Sequence, residues 1–135
     1  MPESVPSQTT DRFWIQQWAP GAGQPGPNVG KWVVTIDERD LDAAWAEIRA
    51  ALQCNKLGPS AKTRTAMRHP FLEPDGKTVI CVYTADCLDA KDRNRVLRML
   101  GNLGFQDCRY KTDEETRRDW RSCLPSTQSS KGALE

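Results

Sequence analysis

Histidine is almost missing from this chain: His69 is the only one in 135 residues. Five cysteines are present (Cys54, Cys81, Cys87, Cys108 and Cys123), yet no two form a CxxC pair. Zinc sites draw on histidines and closely spaced cysteines, so no metal is expected. An odd number of scattered cysteines, with Cys81 inside an apolar strand pattern, is the usage of a reducing compartment. Also missing are a Gly-rich phosphate loop, a nucleophile elbow and a carboxylate pair, which disfavours hydrolase chemistry and leaves no cofactor to expect. The longest apolar runs, such as Val79 to Tyr83, are far too short to span a bilayer, and the N-terminus MPESVPSQTT has neither a basic nor an apolar leader region. A cytoplasmic protein with no membrane partner is therefore expected. Net charge is scarce too, at +1 with a pI near 7.6. Any binding to nucleic acid must come from a local patch rather than from bulk charge. No internal repeat is present.

Such a patch exists. From Gln53 to Leu72 the chain carries Lys56, Lys62, Arg64, Arg68 and His69 and no acid. Threonines and period-two alternation predict a strand over 61–68, which puts Lys62, Arg64 and Arg68 on one face and Ala61, Thr63, Thr65 and Met67 on the other. Cationic heads two residues apart, about 6.6 Å along a strand, suit a phosphate or a carboxylate. A solvated strand face accounts for the same pattern.

The remaining chain divides by periodicity. RFWIQQW, residues 12–18, alternates with Trp14, Gln16 and Trp18 on one side and Phe13, Ile15 and Gln17 on the other; a buried strand is the default, and a strand offering aromatics to a ligand is the alternative. APGAGQPGPNVG holds three prolines and four glycines in twelve residues and predicts a loop. KWVVTI predicts a strand with Trp32, Val34 and Ile36 facing the core. Leu41, Ala44, Trp45, Ile48 and Leu52 recur at helical spacing, with Asn55 and Gly58 as stops. Pro74-Asp75-Gly76 favours a turn, and TVICVYT reads as a central strand hairpinned to the basic one. Leu88, Val96, Met99, Leu100 and Leu103 mark a second helix starting near Asp89 and closed by Gly104, with Arg93, Arg95 and Arg98 on its polar side. A last strand is expected over 106–112. The expected layout is a flexible tail at 1–12, one α+β domain at 13–121 and a flexible tail at 122–135. Within the domain an antiparallel sheet carries both helices on one face and leaves the other for a ligand.

The segments NVGKWVVTIDERDLDAAWAEIRAALQCNKLGPSAKTRTA, KTVICVYTADCLD and LGFQDCRYKTDEET resemble the family of the basophilic-leukaemia-expressed protein, a domain of unknown function similar in fold to the cap-binding translation initiation factor. GKW, LGxSAKxxTA and YKTDE are the most specific pieces, and the resemblance spans roughly Trp14 to Thr116. It implies a curved sheet with a concave ligand face. It also implies that Trp32 and Trp45 are structural, which leaves Trp14 and Trp18 as ligand aromatics. The cap-sandwiching tryptophans and the guanine-reading Glu have no residue-by-residue counterpart, so cap binding itself is not implied.

Two functions of different class follow. The first is a monomeric module binding a nucleotide or single-stranded RNA, with a base on Trp14 or Trp18 and phosphates on Lys62, Arg64 and Arg68. Tyr83 and Lys111 join this site if their strands flank the basic one. The second follows from a phosphothreonine-lyase label carried by some relatives and takes a phosphorylated peptide. Lys62 would act as base and His69 as acid, with Arg64 and Arg68 clamping the leaving phosphate. Residues 62 and 69 differ in strand parity, so that reading needs the chain to turn His69 back.

Overall fold

Alternation decides which side of each strand faces the core, and the helices complete it. The computed structural model describes residues 5–24, 26, 28–67 and 76–112. In chain order these form β1 (Trp14–Trp18), β2 (Gly30–Asp37), α1 (Leu41–Gln53), β3 (Ser60–Arg64), β4 (Lys77–Thr84), α2 (Ala90–Asn102) and β5 (Cys108–Thr112). The strands build one sheet in the order β1-β3-β4-β2-β5, antiparallel at every pairing and, among the described residues, not closed. The α+β class, the β3–β4 hairpin and the central place of TVICVYT are as expected. Among the described residues no helix is long and apolar enough to cross a membrane.

One face of this sheet is the core. Ile15, Ala61, Ile80, Val82 and Val34 meet Trp45, Ile48 and Leu52 of α1 and Val96 and Leu100 of α2, with Trp32 and Ile36 packed against them. Trp45, Ile48, Leu52, Ile80 and Leu100 are essentially inaccessible to solvent. Full burial of such a side chain contributes about 1.5–3 kcal/mol each, which makes this face the main source of stability. Because residues from both helices join this one cluster, both pack on the same side.

The helix ends follow from local chemistry. The Asp89 side chain caps α2 by accepting from the Asp92 N–H at 3.1 Å. At its other end Gly104 takes φ +96°, the Phe105 N–H donates to the Leu100 carbonyl and the Gly104 N–H to that of Gly101. α1 ends in the same motif with Asn55 at φ +57°, where Lys56 N–H reaches the Ala51 carbonyl and Asn55 N–H that of Leu52. Asn55 alone therefore stops α1. Gly58 has another role: a Cβ there would collide with the Tyr83 carbonyl oxygen.

Three further expectations change. β3 ends at Arg64 instead of residue 68, because the following polar groups bond to the N-terminal segment. Thr65 Oγ1 donates to the Arg12 carbonyl at 2.5 Å, and the Ala66 N–H donates to the carbonyls of Pro6 and Thr9, each at 3.0 Å. That segment is itself attached, since Pro6 is buried and Ser7 gives its N–H and Oγ to the Asp42 carboxylate at 2.9 and 2.5 Å. β1 is an edge strand rather than a buried one, with Ile15 its only buried residue. Arg93 and Arg95 are not simply a solvated helix face. Arg93 donates to the Cys87 carbonyl at 2.8 Å, and Arg95 bonds Asp92 and the carbonyls of Lys56 and Leu57 at 3.1 and 3.2 Å, tying α2 to the segment that leads into β3.

Candidate functional site

Cross-strand partners share a face, so the register fixes what lies opposite the helices. Gln16, Lys62, Cys81, Val33 and Arg109 are paired in one row across the sheet. The neighbouring row holds Trp18 with Ser60 and Tyr83 with Lys31 and Lys111. Trp14 and Arg64 are paired on the other side of Lys62. Five cations and three aromatics thus occupy this end of the face. At its far end Asp37 is paired with Lys77, whose Nζ donates to the carboxylate at 2.9 Å. That hydrogen bond and its charge hold the Asp37 carboxyl below the ordinary carboxylate range. The one acid paired into the end of the face is already answered by a cation, away from the basic rows.

The two tryptophans differ in availability. Lys62 Nζ stands 4.2 Å from the Trp14 ring centroid and Arg64 Cζ stands 5.1 Å from it. Trp14 is therefore a support that holds the two cations by its π-face. Trp18 is 44% exposed. It forms one wall of a cleft of about 370 Å³, with Val29 and Pro59 as further apolar lining and Gln16, Gln24, Ser60 and Tyr83 as polar lining. That volume is within the range of about 300–1,000 Å³ typical of small-molecule sites. Residues of the Pro/Gly loop, Gly23, Gln24 and Gly26, close its side. The loop is held beside it by the Ala19 N–H on the Pro59 carbonyl at 2.8 Å and the Cys87 N–H on the Asn28 carbonyl at 2.6 Å.

Tyr83 links the cleft to the cations, with Lys31 Nζ 5.6 Å and Lys62 Nζ 5.9 Å from its ring centroid. Cys81 lies in the middle of the face and is only 4% exposed. Burial pushes its thiol up, while Lys62, Lys31, Arg64 and Lys111 pull the other way without prevailing. The thiol stays protonated and shielded, which makes it a poor nucleophile. Alkylation of the native protein at neutral pH is expected to label Cys54, which is exposed, and to leave Cys81 unmodified until denaturant is added. Peptide mapping by mass spectrometry checks this, and rapid native labelling of Cys81 would contradict it.

Of the residues singled out from sequence, Trp14, Trp18, Lys62, Arg64, Tyr83 and Lys111 come together on this face. Arg68 and His69 lie outside the described residues, so the Lys62–His69 pair of the lyase reading has no geometry here. Lys111 reaches the face by a different route from the one expected: β5 borders β2 and is three strands away from β3. Lys31, Arg109, Gln16 and Gln24 were missed. Parity carried a signal for the first two, since Lys31 alternates with core-facing Trp32 and Arg109 shares parity with Lys111. The cleft residues depend on the β1–β3 pairing and had no local signal. Among the described residues no three His, Cys, Asp or Glu side chains gather as metal ligands.

The face and its backing define a small α+β domain with a basic, aromatic sheet surface. The chain belongs to the family described as basophilic leukemia-expressed protein Bles03, whose model matches residues 19–114. The match takes in the Pro/Gly loop, both helices and β2 to β5, and begins just after β1. No curated protein matches the chain.

Proposed function

We propose that this face binds a phosphate-bearing ligand of the nucleotide class, a nucleotide or a single-stranded RNA. The carrying observation is the junction of the Trp18–Tyr83 cleft with the Lys62 and Arg64 side chains on one sheet face. A base stacked on Trp18 meets an apolar wall, and the amides of Gln16 and Gln24 offer donors and acceptors to its edge. Lys62 and Arg64, steadied by Trp14, then receive the phosphate through charge-assisted hydrogen bonds. A nucleotide uses both halves of this arrangement.

Stacking of one base on an aromatic side chain contributes about 1–3 kcal/mol, so Trp18→Ala is expected to weaken nucleotide binding about 5- to 150-fold. Trp18 is exposed and its loss leaves the core intact, so the melting temperature should stay within about 2 °C of wild type. Titration calorimetry with mononucleotides at low salt measures the first and thermal denaturation the second. Unchanged affinity in a folded Trp18→Ala variant would remove the cleft from the site.

A further inference from the structure

Lys111 and Arg109 lie beyond the reach of a phosphate bound at Lys62 and Arg64. From β3 to β5 is three strand spacings, about 14 Å at about 4.8 Å each. Side chains stand roughly perpendicular to a sheet, so their heads keep much of that separation. A charge-assisted hydrogen bond to phosphate needs about 2.7–2.9 Å, so one phosphate cannot satisfy both ends of the row. The two ends are joined through Cys81, which is paired with both Lys62 and Val33, and Val33 in turn with Arg109. Tyr83 continues the aromatic wall of the cleft to Lys31, its cross-strand partner.

We propose that the ligand is a single-stranded oligonucleotide lying across the strands, with one base in the cleft at the β1 edge and successive phosphates on Lys62 and Arg64, then past the buried Lys31 to Lys111 and Arg109 on β5. This rests on the reading of the face as a nucleotide site and adds the ligand's length and direction. The rise per phosphate is about 3.4 Å in a stacked duplex strand and larger in an extended single strand, so the row accommodates at most about four nucleotides. A phosphopeptide with a single phosphate uses one end of the row and leaves the other unexplained.

The test is fluorescence anisotropy with labelled oligouridylates and oligothymidylates of one, two, four and six nucleotides, over a range of salt. Affinity is expected to rise by about tenfold or more between one and four nucleotides and then level off. The tetranucleotide should lose affinity with salt at a logarithmic slope of about −2 or steeper, from about 0.7 per phosphate contact and at least three contacts. An Arg109→Gln/Lys111→Gln variant is expected to bind the mononucleotide within about twofold of wild type while losing the length gain and reducing the slope by about 1.4. A flat length series, or a variant that keeps the gain, overturns the track and leaves the nucleotide site standing. A wild-type slope no steeper than about −0.7 does the same without relying on any variant. Absence of binding at every length sinks the nucleotide reading itself. A phosphothreonine peptide that binds more tightly, with the same dependence on Arg109 and Lys111, overturns the choice of ligand. Equal affinity for both sugars means a backbone track, whereas preference for oligouridylate assigns a contact to the 2′-hydroxyl.

Discussion

Substituting Lys62 and Arg64 together by Ala is expected to reduce mononucleotide affinity by about 10²- to 10⁴-fold, from two charge-assisted phosphate contacts of about 1.5–3 kcal/mol each. The variant should remain folded. Both residues point away from the helices, and the core of Trp45, Ile48, Leu52, Ile80 and Leu100 involves neither. What the fold loses is their contact with the Trp14 ring, worth about 0.5–2 kcal/mol per cation for these half-buried side chains. Calorimetric titration measures the affinity, and near-ultraviolet circular dichroism reports the tertiary packing. Loss of the native spectrum would assign these cations a structural role, and a folded variant with wild-type affinity would place the phosphate elsewhere.

The largest expected effect on stability comes from one methyl group. In Gly58→Ala the new Cβ would overlap the Tyr83 carbonyl oxygen and crowd the Tyr83 carbon and Thr84 Cα behind it. These are backbone atoms of central β4, so no side-chain rotation relieves the clash. Either β4 bends or the 56–60 segment lifts, and the latter strains the Arg95 contacts with Lys56 and Leu57. Overpacking of this kind costs about 3 kcal/mol, toward the upper end for insertions into a packed core. Chemical denaturation should show a matching fall in the unfolding midpoint with little change in slope. Because Tyr83 lines the cleft, mononucleotide affinity should fall as well. Gly101→Ala is the control: nothing lies within 4 Å of its added Cβ, and that substitution should be neutral or mildly stabilising. Equal stability of the two variants would refute the close approach at Gly58.

The same glycine shows where the sequence stops being legible. Next to a helix pattern ending at Gln53, Gly58 reads as a stop, yet the left-handed residue is Asn55, and Gly58 answers to a strand 25 positions later in the chain. Propensity and parity sufficed for whatever one element decides alone: the core faces of β2 and α1, the start of α2 near Asp89, the Gly104 termination, and the shared face of Lys62 and Arg64. They failed where distant segments meet. Thr65 has strand propensity, but its hydroxyl bonds to the Arg12 carbonyl and the next N–H serves Pro6 and Thr9, so β3 ends there. The β1–β3 pairing joins segments about 45 residues apart in the chain, and only that pairing separates Trp14, covered by cations, from Trp18, which lines the cleft. The order of β4, β2 and β5 likewise carries Lys31 onto the face while putting Arg109 and Lys111 at the opposite edge from Trp14.

The most direct measurement is a crystal structure of the chain soaked with a mononucleotide. Phosphate oxygens are expected about 2.7–2.9 Å from Lys62 Nζ or the Arg64 guanidinium, with the base against Trp18 in the cleft. A nucleotide bound on the helix side of the sheet, or a cleft and basic rows that stay unoccupied at saturating ligand, would contradict it.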